Sequence, residues 1–476
     1  VLMNRPDAAY RKSYNRFSPK MEAFFDGGTE GQRKILGALV GTVRHFFGDV
    51  NSLFSHVTDP RSPKKIRYPL AALGFAGVLM YLCHLESRRQ VGLKMRTAAS
   101  RQSFQSLFDV DDFPHGDTLN DAFCLTDPDE VQEVVCSMVD KLIRKKVLYR
   151  YRVLDRYFSV AIDGTGTISY PRRHCPHCLT QERNGKTIYY HQVLEAKLVT
   201  SNGFAFSLMT EFIENPDEKV GKQDCELKAF YRLAPKLKNR FPRLPVLLTG
   251  DGLYACGPVF EICDSYDWKF MIILKDKDLP SVNEEFLALR PLQSANHLKM
   301  RTGKQREIQQ DYSWVNSIQY TDSEKRDHVV DVIECLEVKP NRQGEPTQSK
   351  WKWITNVKVD TSNVAALSND AGRKRWKVEN EGFNVQKNGG YELGHGYTTD
   401  VNGAKAFYYC LQIAHMLAQL LYKGSLLATK GRKALGSAKN LAFWILEAWR
   451  NVPFLKRDRR ALSTQCFQIR FSPDTS

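Results

Sequence analysis

The clearest pattern along the chain is helical. In "TDPDEVQEVVCSMVDKLIRKK" (126–146), Val131, Val135, Met138 and Leu142 recur at the three- to four-residue spacing that lines one face of a helix. Thr126 or Asp127 can cap it, and Pro128 suits a first turn, where no backbone N–H is needed. Just upstream, "PHGDTLNDAF" reads as a turn followed by a short helix start. "YPLAALGFAGVLMYLCHL" (68–85) contains no Asp, Glu, Lys or Arg, and its length approaches a membrane span. It is rich in Ala and Gly and the chain offers no second comparable span, so the expectation is a buried helix and no membrane partner. Residues 1–150 therefore predict a helical region.

From Tyr157 the pattern changes to strands. "YFSVAID" is the first, and "TIYYHQVLEAKLVT" and "GFAFSLMTEFI" follow as a hairpin turned at "SNG". A helix fits "DCELKAFYRLAPKLKNRF". "PVLLTGD" is a short apolar strand, "VFEICDSY" a helix and "WKFMIIL" another buried strand. Antiparallel strands followed by βαβ units predict a mixed α/β sheet. Between about 295 and 358 the strands become more polar ("HVVDVIECLEV", "KWKWITNVKV") and flank a turn-rich linker, which predicts a β-rich insertion. Helices resume at "NDAGRKRWKVENEGF" and "AKAFYYCLQIAHMLAQLL", and a basic tail carrying "KRDRR" closes the chain.

Composition narrows the function class. The chain has 476 residues, room for about three domains. Its 69 basic against 53 acidic residues leave a net charge of +16, which suggests a polyanionic partner, most commonly nucleic acid. Arg88, Arg89, Lys94, Arg96 and Arg101 form one basic cluster and residues 141–152 another; each can track phosphates or simply solvate a helix face. The opening "VLMNRPDAAYRK" has no apolar run, and the eleven cysteines are an odd number with one motif, Cys175-x-x-Cys178. Reduced thiols and a cytoplasmic location, beside the nucleoid, are the expectation. Cys225, Cys256 and Cys263 read as core filling. Trp314 and Trp351 read as core residues of the insertion, with base stacking as the alternative.

Two carboxylates share a context. Asp163 and Asp251 each end an apolar run and precede Gly. Carboxylates at strand ends converge at one edge of a sheet, where ligands bind. Held close, they cannot all stay ionised without a cation, and hard cations such as Mg²⁺ take carboxylate oxygens. The glycine after each would let a phosphate backbone approach, although Asp-Gly is also an ordinary turn. A third acid has two candidates, Glu379 and Glu381. Residues two apart on a helix point about 200° apart, so both cannot face one site. Arg375, Glu379, Gly382 and Gln386 follow the spacing of a single face, which favours Glu379. The alternative is an amphipathic helix packed through Trp376 and Phe383.

Taken in order, "AIDGTG", "LLTGDGLYA", a β insertion and "RWKVENEGFNVQKNGGYELGH" resemble an insertion-sequence transposase of the DDE class. The resemblance covers about 157–420. It implies an RNase H-like catalytic fold in which Asp163, Asp251 and Glu379 bind two Mg²⁺ ions, with Mn²⁺ as a substitute. A related subgroup carries Tyr-x2-Arg-x3-Glu-x6-Lys on its last helix. Arg375 and Glu379 match it, while Gly372 stands at the Tyr position and Gln386 at the Lys position, with Lys387 beside it. Arg375 would hold a phosphate or brace Glu379. Arg88, Arg89, Arg96, Arg375 and Lys387 are the candidate DNA contacts.

The resemblance implies hydrolysis at the ends of an element, then strand transfer of the freed 3′-OH into target DNA, by a homodimer on double-stranded DNA (terminal repeats and target). A catalytically inactive DNA-binding descendant and a metal-dependent nuclease without strand transfer are the alternatives. The implied organisation is a helical DNA-binding region (1–150), an RNase H-like core in two parts (151–292 and 361–422), a β-rich insertion (293–360) and a basic tail (423–476).

Cys175-Pro-His-Cys178 has the spacing that lets two thiolates reach one zinc. Two further ligands are needed and no second Cys-x-x-Cys exists. His174 and His177 are adjacent, but a tight loop rarely supplies three ligands. His191, at the start of the next strand, and His395, in "GGYELGHGY", are the candidates to complete a Zn²⁺ site, against two reduced cysteines in a surface hairpin.

Overall fold

In the computed structural model, the described residues are 28–303, 305–341, 343–427, 437–465 and 467–471; the opening stretch lies outside them. Six helices come first: α1 (Thr29–Phe47), α2 (Leu70–Leu82), α3 (Arg88–Lys94), α4 (Ala98–Phe108), α5 (Gly116–Leu125) and α6 (Pro128–Arg144). Strands β1 (Phe158–Tyr170), β2 (Leu179–Arg183), β3 (Lys186–Val199) and β4 (Ala205–Ile213) follow. Then α7 (Glu226–Arg240), β5 (Val246–Gly250), α8 (Gly257–Ser265), β6 (Lys269–Ile273) and α9 (Pro280–Leu289) alternate. Strands β7 (His297–Thr302), β8 (Ile308–Thr321), β9 (Asp327–Pro340) and β10 (Pro346–Thr355) precede a helical run over 364–388. Helices α10 (Val401–Lys423), α11 (Ala438–Asn451) and α12 (Lys456–Thr464) end the described chain.

These elements divide into two compact units. One joins the residues up to Val134 to those from Gln386 onward; the other is Val135–Val385. This division departs from the expected one. Helix α10, expected to close the catalytic core, packs against α2, α5 and α1. The expected basic tail contains α11, which buries Leu441, Ile445, Leu446 and Trp449 and packs against α1 and α4. The reason is burial: an apolar face such as that of α11 is not stable in water and needs a partner. Helix α2 is buried at every position but Ala71, which accounts for its lack of a polar face. No helix among the described residues is long and apolar enough to cross a membrane.

The second unit is built on a ten-stranded mixed sheet. Its first half runs β4-β3-β1-β5-β6: β3 is antiparallel to β4 and β1, while β1, β5 and β6 are parallel. β2 pairs with the outer half of β3, from Leu179–Tyr190 to Arg183–Lys186. The expected insertion is not a separate sheet. β10 pairs antiparallel to β6 through Trp353–Thr355, and β9, β8 and β7 continue outward. Trp314, Ile333, Cys335 and Trp353 share one apolar cluster with Leu247 and Met271 of the first half and with Val364, Leu367 and Ala371 of the helical run. Trp314 is therefore core. Trp351 is half-buried and stacks on Trp353, with the Arg373 guanidinium over its ring.

Candidate functional site

The first five residues of β1, Phe158–Ile162, are buried, and Asp163 is the first to reach partial exposure. Asp163 does not end the strand, as its Asp-Gly context suggested; β1 continues to Tyr170 because Thr165–Tyr170 still pair with β3. Parallel pairing sets Ala161 opposite Thr249 of β5. Asp163 and Asp251 each follow this pair by two residues, and the Asp251 charge acts on Asp163. Asp251 lies just past β5, where its carboxylate accepts from Leu253 N at 3.0 Å and caps the turn Gly252–Tyr254.

The helical run 364–388 supplies the third element, and it is not a regular α-helix. It winds as π turns over Leu367–Gly372 and Val378–Phe383 with a tight 3₁₀ turn, Arg373–Trp376, between them. A side chain at Gly372 would meet the Trp353 indole at 2.6 Å, so the run lies directly on the sheet core there. The expected single face is consequently split. Arg375 is buried, with Nη1 3.6 Å from Asp163 Oδ2, and its Nε is buried without a hydrogen bond. Glu379 is close enough to act on the Asp163 charge. Gly382 instead packs on the stem of Lys197, and Gln386 is buried with its amide on Gln412 at 2.8 Å.

Burial pushes the Asp163 carboxyl up to about 6; Arg375 opposes the shift, while Glu226, Glu379 and Asp251 add to it. Glu226 is a fourth carboxylate that sequence reasoning missed. It opens α7, accepts from Gln192 Nε2 at 2.6 Å and from the Tyr254 hydroxyl at 3.5 Å, and is itself raised by burial and by Asp251. A Cβ on Gly164 would lie 2.4 Å from the Glu226 carboxyl. The space that Gly164 was expected to leave for a phosphate is thus taken by Glu226. Nothing in "DCELKAF" marked Glu226 apart from any helix-opening acid; only the pairing of β1 with β3 sets Gly164 and Gln192 beside it.

Behind the acids lies a buried ion pair. In the β1–β3 register Glu195 stands opposite Asp163 and Lys197 opposite Ala161. Lys197 Nζ donates to Glu195 at 3.0 Å, both side chains fully buried, and Thr210 also donates to Glu195. The Lys197 ammonium lies 5.4 Å from the Phe383 ring. The helical run therefore seats on charge that is paired inside the sheet.

The other expected DNA contacts belong to the first unit. Arg88 pairs with Asp117 at 3.4 Å, and Arg96 pairs with Asp112, which also takes Arg101 at 3.0 Å. Arg89 and Lys387 are exposed.

The cysteine motif gathers a second cluster. Ligand atoms of His174, Cys175, Cys178 and His191 all lie within 4.8 Å of one another, and among the described residues no other group of three or more His, Cys, Asp or Glu reaches that spacing. His395 is not part of it: its ring lies edge-on to Tyr397 in the first unit. His174 takes the expected place of His395, so the tight loop does supply three of the four groups. His177 points elsewhere and donates to the Asn215 carbonyl at 2.8 Å.

A family model described as DDE_Tnp_1-associated matches residues 52–139. The match makes this stretch similar to a transposase-associated domain. It ends before β1, so it covers neither the acids nor the His/Cys cluster. No curated protein matches the chain.

Proposed function

We propose that the protein is a DDE-type DNA transposase. In this reading the β4-β3-β1-β5-β6 half of the sheet is an RNase H-like core, and Asp163, Asp251 and Glu379 hold two Mg²⁺ ions, or Mn²⁺ in their place. One observation carries it: Asp163, on the strand that pairs parallel with β5, has a carboxyl that burial raises, and the charges of Glu226, Glu379 and Asp251 act on it. The DDE_Tnp_1-associated match supports the same family.

The residues fit the ions. The donor set is all oxygen, as hard divalent cations prefer. The carboxylates crowd more negative charge than Arg375 alone offsets, and an ion pair shared among them need not bring every carboxylate to one centre. Such ions, when bound, activate water and stabilise charge on a leaving oxygen. The protein's own part is positioning. β1 carries Asp163, the turn after β5 carries Asp251, and Gln192 and Tyr254 hold Glu226. Arg375 is placed to brace Asp163 or to meet a phosphate. Phosphoryl transfer depends mainly on such positioning and charge stabilisation, so no separate nucleophilic side chain is needed.

The partners in this reading are double-stranded DNA, as element ends and target, and a second copy of the chain. The test uses purified protein, DNA carrying the element's own ends, and Mg²⁺. The expected result is cleavage at the ends followed by joined products, with Asp163→Asn lowering cleavage by at least on the order of 10²–10³-fold. Cleavage without joined products would favour a nuclease. Binding without metal-dependent cleavage would favour an inactive DNA-binding descendant, and full activity in Asp163→Asn would reject the site.

A further inference from the structure

We propose that His174, Cys175, Cys178 and His191 form a structural zinc site. The cluster sits where β1, β2 and β3 meet: the loop after Tyr170 carries the first three residues, and His191 lies opposite Ile168 in the β1–β3 ladder. The distances are those of four ligands around one small ion. Cys175 Sγ and Cys178 Sγ are 3.5 Å apart. His191 Nε2 is 3.4 Å from Cys175 Sγ and 3.7 Å from Cys178 Sγ, and His174 Nδ1 is 3.2 Å from Cys178 Sγ. Tetrahedral Zn²⁺ with Zn–S near 2.3 Å and Zn–N near 2.0 Å requires S···S of about 3.8 Å and S···N of about 3.5 Å. The sulfurs are too far apart for a disulfide bond, which needs about 2.05 Å. Two thiols and two imidazoles select a borderline-soft divalent ion over Mg²⁺ or Ca²⁺. With all four positions filled by protein, the site is closed and structural, not catalytic.

The surroundings are built to hold this geometry. Asn215 is buried. Its side chain donates to the Cys178 carbonyl at 3.0 Å, its backbone N–H donates to the His177 carbonyl at 3.2 Å, and its own carbonyl accepts from His177. Gln223 clamps Thr180 on both sides, accepting from its N–H at 2.6 Å and donating to its carbonyl at 2.9 Å. Residues 215–223 are the lead-in to α7, which Glu226 opens, and Gln192, next to His191, holds that same carboxylate. The ion would therefore fasten the outer ends of β1–β3 to the segment that sets Glu226 in place. This inference does not depend on the proposed activity, since a zinc brace would serve any function built on this sheet.

The test is metal analysis of the full chain purified without added chelator, together with Co²⁺ substitution. Expected are one zinc per chain and, with Co²⁺, the visible absorption of a tetrahedral thiolate site. Cys178→Ser and His191→Ala should each lose the metal, while His177→Ala and His395→Ala keep it. A wild-type chain that refolds from denaturant with excess Zn²⁺ and holds none, or a His395→Ala chain that loses it, would overturn the assignment. If Cys178→Ser does not fold, Co²⁺ spectra of the His174→Cys chain decide: a third thiolate must strengthen the sulfur-to-metal band, and an unchanged band removes His174 from the site.

Discussion

The cluster around Asp163 on β1 and the His/Cys cluster of the loop after β1 behave oppositely. Around Asp163, groups of like charge are held near one another but not in contact. At His174, Cys175, Cys178 and His191, the ligand atoms draw together within 4.8 Å. The difference is one of charge before any metal arrives. Thiols and imidazoles can be neutral near pH 7, and burial with Cys178 pushes the Cys175 thiol further up, so nothing repels these groups. The carboxylates differ: burial first, and repulsion from neighbouring carboxylates in addition, raises the proton affinity of Asp163 and Glu226. One cluster can close around an ion with little charge repulsion; the other concentrates negative charge, which in the proposed reading cations would offset.

The sharpest way to break the comparison is to disable the clusters separately. Asp251→Asn or Glu379→Gln should reduce metal-dependent cleavage by at least on the order of 10²–10³-fold, while Glu381→Gln stays within a few-fold and zinc content is unchanged in all three. Cleavage lost equally in Glu381→Gln would show that the helical run positions a different acid. Next in size is the buried pair behind the site. Lys197→Met strands the Glu195 charge and should cost about 3–5 kcal/mol in denaturant unfolding. A loss within experimental error would mean that Glu195 is held by its other partners alone.

Asp163 itself should show a stability effect of opposite sign. Its carboxyl is raised from 3.8 to about 6 in the folded chain, so ionisation opposes folding. The cost is absent below about pH 4 and complete above about pH 6. In chelator, Asp163→Asn should therefore be more stable than wild type by about 3 kcal/mol at pH 7.5 and no more stable at pH 4. A gain at both pH values would point to packing instead. The smallest effect belongs to Glu226→Gln. Removing one neighbouring negative charge should bring the Asp163 titration below about 6, measured by carboxyl NMR on the metal-free chain. An unmoved titration would place Glu226 outside the electrostatic site.

Several features were legible because they are local. Strands β1, β3, β4, β5 and β6, helix α7 and the buried α2 follow from apolar period and turn residues, whereas β2 lies in a stretch that reads as a loop. The run that carries Glu379 is not the regular α-helix that its spacing predicts but contains π and 3₁₀ turns. Within it Gly372 lies against Trp353, a contact between residues 19 apart that no local period encodes. Glu226 was invisible for the same reason: a lone acid at a helix start acquires meaning only when Gly164 and Gln192 pack against it.

By itself the sequence determined which stretches must be buried, that an acid follows the apolar start of β1 and a thiol pair comes soon after that strand, and that the chain is strongly basic. Tertiary structure alone decided that α10 and α11 complete the first unit, that β10 joins the insertion to the main sheet, and that His174 rather than His395 completes the His/Cys cluster. The physical reason is common to all three. An apolar face specifies that it must be covered and a thiol pair that it can share a metal, but neither specifies by what; that choice belongs to strand register and to the packing of segments distant in the chain.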